Sequence, residues 1–191
     1  MVWKNDQVTE IETQEILKLA RESLEHEGDY VELGCYKGDT SLMLADVLRG
    51  TGRKLWIYDS FEGLPKKTDA DESELGRDFC EGALYTTKRE IKERFLRAGL
   101  ALPVIKKAWF RDLTDADMPK KIAFAFLDGD LYESIRDSLK VVENKVVSHG
   151  IIVVHDYDNP ALPGVARAVD EWLGNNSYQH KCFKSMIVIM I

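Results

Sequence analysis

The chain has 191 residues, of which 45% are apolar and 31% charged, which is typical of one soluble globular domain. Its formal net charge of −7 argues against a nucleic-acid partner, because such proteins concentrate Lys and Arg against the phosphates. The N-terminal sequence is too charged for a secretory signal, and no apolar stretch approaches the length of about 18 residues that a membrane span needs. We therefore predict a cytoplasmic protein that is not membrane-bound. Cys35, Cys80 and Cys182 fit neither a disulfide framework nor a zinc site and are predicted to be reduced thiols.

Hydrophobic periodicity predicts strands that alternate with helices along the chain. In chain order the elements are a helix over Thr9–His26, a strand over Tyr30–Leu33, a helix from Thr40, a strand over Lys54–Tyr58, a helix over Thr86–Ala98, strands over Val104–Lys106 and Ile122–Leu127, a helical stripe from Leu131 to Val146, a strand over Ile151–Val154, a helix from Val165 that ends at Gly174, and a strand-like stretch over Tyr178–Ile191. This order predicts an α/β fold with a mostly parallel sheet and helices on both faces. Residues 1–191 are expected to form one domain, in which residues 1–28 form the N-terminal helical segment.

The segment between the first strand and the next helix reads VELGCYKGDTS, residues 31–41. Gly34 and Gly38 allow the backbone to turn sharply and to approach a ligand, while Thr40 and Ser41 can cap the helix that follows. The N-terminus of that helix would favour a carboxylate. The spacing lacks the middle glycine of dinucleotide-binding loops, which disfavours a nicotinamide-dependent oxidoreductase. A tight turn that binds no ligand is the alternative.

Acidic residues follow several of the predicted strands. Asp59 ends the second strand, where its carboxylate can accept hydrogen bonds from both hydroxyls of a ribose. Asp128 and Asp156 end neighbouring buried strands, and oxygen ligands that converge in a cleft suit a divalent cation such as magnesium. Such a cation could orient a substrate hydroxyl and lower its pKa. Alternatively, these two aspartates cap helices and form salt bridges with Arg136 or Arg167.

His155 precedes Asp156 and affects which metal is expected. Imidazole is a poor ligand for magnesium but a good one for zinc, manganese or iron. His155 could equally act as a general base near neutral pH, or be structural. Trp109 and Phe110 follow the third strand, where they could cover an adenine or a substrate ring, or pack in the core.

Residues 66–87 form the one long connection without clear periodicity. They are rich in charge and glycine. Because loops of this length are usually lids, binding loops or disordered segments, and because this one follows the second strand, we predict a lid over the site.

Five segments, taken together, resemble the macrocin O-methyltransferase (TylF-type) family. They are VELGCYKGDTS (31–41), YDSFEGLP (58–65), KKAWFRDL (106–113), FLDGDLYES (126–134) and HGIIVVHDYDNPALPGVARAVDEWL (149–173). The resemblance implies a Rossmann-like class I methyltransferase fold, with a seven-stranded sheet of order 3-2-1-4-5-7-6 whose last strand is antiparallel. It also implies an S-adenosylmethionine-dependent, divalent-metal-dependent O-methyltransferase that acts on a hydroxyl of a sugar or another small natural-product moiety.

The resemblance also assigns roles to individual residues. The cofactor-binding residues it implies are Glu32, Gly34 and Gly38 on the loop, Asp59 at the ribose, and Ser60 and Phe61 beside the adenine. From their positions on the loop and at the strand ends we add Tyr36, Thr40, Ser41, Trp109, Phe110 and Asp128 as predicted cofactor contacts. Asp128 also falls on a metal-ligand position, and Asp130 on that of the base that takes the substrate's hydroxyl proton. The family commonly has Asp-Asp-Tyr where this chain has His155, Asp156 and Tyr157, so a nitrogen replaces one oxygen ligand. A metal held by Asp128, His155 and Asp156 could then be magnesium or a softer ion, or His155 could be the base of a metal-free mechanism.

Two other functions stay open. A degenerate relative could bind the cofactor without turning over, as His155 and the short segment before the first helix suggest. An NAD-dependent oxidoreductase would share the first strand, loop and helix and the acidic residue at the ribose. The expected partner is a small hydroxylated molecule, and a homodimer stays open.

Overall fold

The structure is a computed structural model that describes residues 7–191. Its sheet has seven strands in the order β3-β2-β1-β4-β5-β7-β6. The strands are β1 (Asp29–Leu33), β2 (Leu55–Asp59), β3 (Val104–Lys107), β4 (Ile122–Leu127), β5 (Val146–Val154), β6 (Gln179–Phe183) and β7 (Met186–Met190). β1 to β5 pair in parallel, and β7 is antiparallel to both of its neighbours. The predicted α/β class and strand order are confirmed.

The helices are α1 (Glu10–Glu22), α2 (Asp39–Val47), α3 (Lys88–Ala98), α4 (Tyr132–Val142) and α5 (Pro163–Leu173). They cover both faces of the sheet. Tyr30 packs in a core with residues of α1, α2 and α3, whereas the next residue, Val31, points to the opposite face and packs with residues of α4 and α5. All six residues of β4 are buried, as expected of a central strand covered on both sides. No helix within residues 7–191 combines the length and the apolar run that crossing a membrane would need.

The structure differs from the sequence prediction most clearly in two regions. The helical stripe from Leu131 to Val146 is too long, because α4 ends at Val142 and Val146 already begins β5. Val146 fits the helical period by position alone, and a short apolar run does not distinguish helix from strand. The strand-like stretch at the C-terminus is a hairpin, because the chain turns at Lys184, which has a φ of 55°, and Ser185 between β6 and β7.

Gly34 brings the ends of β1 and β4 together. Its φ is +90°, and a Cβ atom on this residue would lie 1.9 Å from the carbonyl oxygen of Asp128. Only a residue without a side chain permits this contact. The loop after β1 therefore lies directly against the residues that follow β4, at the carboxyl edge of the parallel strands, where α/β sheets bind their ligands.

Candidate active site

A cleft opens at the carboxyl edge of the sheet. Its empty volume is about 900 Å³, which includes open solvent. The predicted site residues that line it are Gly34, Tyr36, Asp59, Ser60, Trp109, Phe110, Asp128, Asp130, His155 and Asp156. The residues predicted for the cofactor and those predicted for the metal and the base therefore share one cleft.

The other predicted cofactor residues lie behind the wall of this cleft. Glu32 is fully buried, and its carboxyl group accepts a hydrogen bond from the hydroxyl of Ser41. Burial raises the pKa of Glu32 to about 8. Gly38, at a φ of 80°, is the N-cap of α2, and Thr40 and Phe61 are buried. In this structure these five residues shape the loop and the turn after β2 rather than line the cleft.

Asp59 is held by backbone amides on both of its oxygens. Its Oδ2 accepts a hydrogen bond of 3.0 Å from the N–H of Cys35, and its Oδ1 accepts one of 2.7 Å from the N–H of Phe61. The carboxylate therefore links the glycine loop to the turn after β2. Each oxygen keeps a second lone pair, which leaves the group able to accept further hydrogen bonds from a diol.

Three side chains meet at the ends of β4 and β5. The Nδ1 atom of His155 lies 3.1 Å from Oδ1 of Asp128 and 2.8 Å from Oδ2 of Asp156. Burial by itself lowers the pKa of His155, but the two carboxylates outweigh it and raise this pKa to about 11. The Nε2 atom of His155 is buried and has no hydrogen-bond partner in the described part of the chain. The imidazole therefore faces both carboxylates through one nitrogen only.

The alternative salt bridges do not form. Arg136 pairs with Asp137 and Glu133, and Arg167 pairs with Glu171. Neither arginine therefore pairs with Asp128 or Asp156, which face His155 instead.

Asp130 lines the cleft two residues after Asp128. Its φ is 59°, in the left-handed region that non-glycine residues rarely occupy. Burial, and then the negative charges of Asp128 and Asp156, raise the pKa of Asp130 well above its ordinary value. Once ionised, a carboxylate with a raised pKa is a stronger base, which suits a group that accepts a proton.

Asn159 is a residue of the cleft that the sequence did not single out. Its Nδ2 donates a hydrogen bond of 2.8 Å to Oδ1 of Asp156, and its Oδ1 accepts one of 3.0 Å from the N–H of Ala161. Asn159 therefore fixes Oδ1 of Asp156, while Oδ2 of the same carboxylate faces His155. The available signal was the Asn-Pro pair, which indicates a turn but not the direction of the side chain.

The apolar part of the cleft was also missed. The residues that form it are Leu64, Pro65, Phe79, Leu84 and Ala108. Four of these lie in or beside the long connection between β2 and α3, whose sequence has no periodicity that would show which side chains face inward.

The acidic cluster fits a divalent cation. Three possible ligand atoms lie within 4.8 Å of one another, one each from Asp128, His155 and Asp156. Two carboxylate oxygens and one imidazole nitrogen are donors typical of manganese, iron or zinc, whereas magnesium prefers oxygen ligands alone. A cation bound here would replace the proton at Nδ1 of His155.

The sequence profile of the macrocin-O-methyltransferase (TylF) family matches residues 12–185. The chain belongs to this family. A relative in Streptomyces olivaceus, 8-demethyl-8-(2,3-dimethoxy-alpha-L-rhamnosyl)-tetracenomycin-C 4'-O-methyltransferase, is 31% identical over 156 residues, which cover 77% of this chain and 58% of the relative. Demethyldecarbamoylnovobiocin O-methyltransferase of Streptomyces niveus is 29% identical over 153 residues, which cover 76% of this chain and 58% of the relative. This TylF-family chain therefore spans less than two thirds of either relative.

A solved structure agrees with the family assignment. The O-methyltransferase NovP superposes with a TM-score of 0.76 at 25% sequence identity, over 91% of this chain and 78% of that one. The class I methyltransferase fold implied by the sequence resemblance is confirmed.

Proposed function

We propose that this protein is an S-adenosylmethionine-dependent O-methyltransferase that acts on a hydroxyl of a small molecule, namely a sugar or another natural-product moiety. The observation that carries the proposal is that Asp59 and the acidic cluster line one and the same cleft. Family membership supports it, as do the names of the two relatives, one of which acts on a rhamnosyl-tetracenomycin and the other on demethyldecarbamoylnovobiocin.

The ends of β1 and β2 form the cofactor side. Asp59 accepts hydrogen bonds from the ribose hydroxyls through its free lone pairs, while the two backbone amides keep it in place. The loop between β1 and α2, of which Gly34 and Tyr36 line the cleft, holds the methionine part. Ser60, Trp109 and Phe110 line the cleft beside Asp59 and surround the adenine.

The reaction is an in-line displacement. The acceptor's hydroxyl oxygen attacks the methyl carbon of the sulfonium, the carbon–sulfur bond breaks, and S-adenosylhomocysteine leaves while a base takes the hydroxyl proton. Asp130 is that base, because it lines the cleft, whereas Nδ1 of His155 faces two carboxylates and its Nε2 is buried. The protein contributes alignment of the two substrates and removal of one proton.

Asp128, His155 and Asp156 would hold the divalent cation. When bound, the cation would polarise the acceptor hydroxyl and lower its pKa. Because an imidazole nitrogen belongs to the donor set, we propose that the site prefers manganese, iron or zinc to magnesium. Asn159 keeps Asp156 oriented for this role through its 2.8 Å hydrogen bond.

Methyl transfer tests the function directly. With methyl-labelled S-adenosylmethionine and a panel of hydroxylated glycosides and phenols, we expect the wild-type chain to form a labelled methyl ether. Asp130→Asn should lower the rate by about 100-fold or more, because it removes the base, and should change the affinity for S-adenosylhomocysteine by less than about threefold. Cofactor binding without transfer to any acceptor would instead support a degenerate relative. Thermal stabilisation by NAD and none by S-adenosylhomocysteine would support an oxidoreductase.

Metal preference is tested by titration of the chelator-treated chain with Mn²⁺ and Mg²⁺ in a calorimeter. We expect wild-type protein to bind Mn²⁺ at least about tenfold more tightly than Mg²⁺, and His155→Asp, which makes all three ligands oxygens, to reduce that ratio. His180→Asp is the matched control, because His180 is exposed on β6. A ratio that His155→Asp leaves unchanged would show that this residue is not a ligand.

A further inference from the structure

Asp71 is a buried carboxylate in the middle of the long connection between β2 and α3. Only 1% of the surface of Asp71 is exposed to solvent. Oδ2 accepts hydrogen bonds from the N–H and the hydroxyl of Thr68, at 2.9 and 2.8 Å, and Oδ1 accepts one of 2.6 Å from the N–H of Tyr132, the first residue of α4. None of the ion pairs within residues 7–191 includes Asp71. Its charge is thus stabilised by neutral donors and by the N-terminus of a helix.

A glycine allows a second helix to approach the same carboxylate. Gly164 lies in the first turn of α5, and a Cβ atom on it would lie 2.0 Å from Oδ1 of Asp71 and 2.9 Å from the backbone nitrogen of Tyr132. Any side chain at this position would overlap with both. The connection, α4 and α5 therefore meet at Asp71.

Contacts with the segment before α5 hold the connection beyond Asp71. The hydroxyl of Ser73 donates a hydrogen bond of 2.8 Å to the carbonyl oxygen of Pro160. A Cβ atom on Gly76 would lie 2.2 Å from the carbonyl oxygen of Ala161, so the two backbones touch. The connection is thus packed onto the chain that directly follows Asn159, a residue of the cleft.

The packed connection supplies the apolar wall of the cleft. Leu64, Pro65, Phe79 and Leu84 all belong to it. The two helices that it contacts follow the acidic cluster in the chain: α4 begins at Tyr132, after Asp128, and α5 begins at Pro163, after Asp156. Where the connection docks therefore sets the distance between the apolar wall and the groups that activate the hydroxyl.

We infer that Asp71 is a positioning residue that docks this connection and so places the acceptor in the cleft. Asp71 itself does not line the cleft and acts through Tyr132 and the apolar wall. The inference rests on the proposed function, because it takes the apolar wall as the surface that holds the non-reacting part of the acceptor.

Trypsin tests the docking without any acceptor, since Arg77 is an exposed cleavage site within the connection. We expect Asp71→Ala to raise the cleavage rate after Arg77 by about tenfold or more, because local opening exposes the segment. Asp69→Ala is the matched control: Asp69 is an exposed aspartate in the same turn, and its variant should be cut at the wild-type rate. If Asp71→Ala fails to fold, Asp71→Asn replaces it. The amide oxygen of the Asn can still accept the hydrogen bond from the N–H of Tyr132, whereas its NH₂ group, a donor, would face the donors of Thr68. Cleavage at the wild-type rate in the folded variant would overturn the inference.

Kinetics test the positioning role. With an acceptor found in the methyl-transfer panel, we expect the variant to raise the acceptor's KM by about tenfold, while kcat and the affinity for S-adenosylhomocysteine change by less than about threefold. Faster cleavage with an unchanged KM would overturn the positioning role. Absence of methyl transfer in the wild-type chain would count against the proposed function instead, and the proteolysis result would still decide whether Asp71 docks the connection.

Discussion

The two sides of the cleft hold their carboxylates in different ways. On the cofactor side, the oxygens of Asp59 accept hydrogen bonds from the backbone N–H groups of Cys35 and Phe61. On the acidic side, Asp128 and Asp156 face each other across the ring nitrogen of His155. Neutral amides fix a carboxylate before any ligand arrives, whereas a cluster of like charges needs a proton or a cation to balance it. The cofactor side is therefore preorganised by the backbone, whereas the acidic side needs a positive charge to balance its carboxylates.

Gly34→Ala is expected to have the largest effect, because Gly34 is where the two sides touch. The added Cβ would meet the carbonyl oxygen of Asp128 at 1.9 Å, at a φ of +90°. We expect the free energy of unfolding to fall by about 3 kcal/mol or more, measured by urea denaturation. Gly50→Ala is the control: Gly50 has a φ of +77° and no atom within 4 Å of an added Cβ. It should cost only about 1 kcal/mol, for the backbone conformation alone. An equal loss of unfolding free energy in the two variants would contradict the close contact between Gly34 and the carbonyl oxygen of Asp128.

Asp59→Asn and Asp128→Asn should separate the two sides. In Asp59→Asn an NH₂ group would oppose one of the two backbone N–H donors, so we expect the affinity for S-adenosylhomocysteine to fall by about 10-fold to 100-fold. Mn²⁺ affinity should stay within about threefold. Asp128→Asn should show the reverse pattern, because it removes a charged ligand atom of the acidic cluster. Calorimetric titrations of both variants measure this, and parallel losses of both ligands would show that the sides are not independent.

Glu32→Gln should have an effect on stability that depends on pH. Burial raises the pKa of Glu32 from 4.5 to about 8, so the folded protein keeps a proton that the unfolded chain releases. The stability that this proton contributes is fully present below the pKa that Glu32 has in the unfolded chain. It is lost as the pH rises towards the pKa of Glu32 in the folded protein, and the free energy of unfolding then falls by about 1.4 kcal/mol per pH unit. The variant lacks this titration. Its stability relative to wild type should therefore increase between about pH 5 and pH 7.5 in urea denaturation. A constant difference would mean that Glu32 is charged in the folded protein.

The order of elements in the sequence predicted the acidic cluster, but it did not predict every element boundary or the strand order of the sheet. Asp128 and Asp156 follow adjacent parallel strands, and because such strands end at one edge of the sheet, their convergence follows from the order of elements. The strand order itself was predicted only through the family resemblance. Val146 was placed in a helix because its spacing fits one, although it begins β5. Local periodicity does not show where a helix stops when the next strand starts with an apolar residue.

The roles of the residues that the sequence missed depend on a long-range contact or on the direction of a side chain. Asp71 meets a backbone N–H that lies 61 residues further along the chain, and no local pattern encodes that distance. Asn159 acts through the direction of its side chain in a turn, which the residue type alone does not specify. Glu32 differs from both: the family resemblance assigns it to the cofactor, its carboxyl group is buried against the hydroxyl of Ser41, and the assignment stays a prediction.

Calorimetric titration of S-adenosylhomocysteine into the chelator-treated wild-type chain tests the central claim most directly. A cofactor side fixed by backbone amides should bind this ligand with one-to-one stoichiometry in the absence of any divalent cation, and subsequent addition of Mn²⁺ should produce a second, separate binding event. Failure to bind S-adenosylhomocysteine until Mn²⁺ is present would contradict the claim that the cofactor side is preorganised. Failure under both conditions would contradict the proposed cofactor.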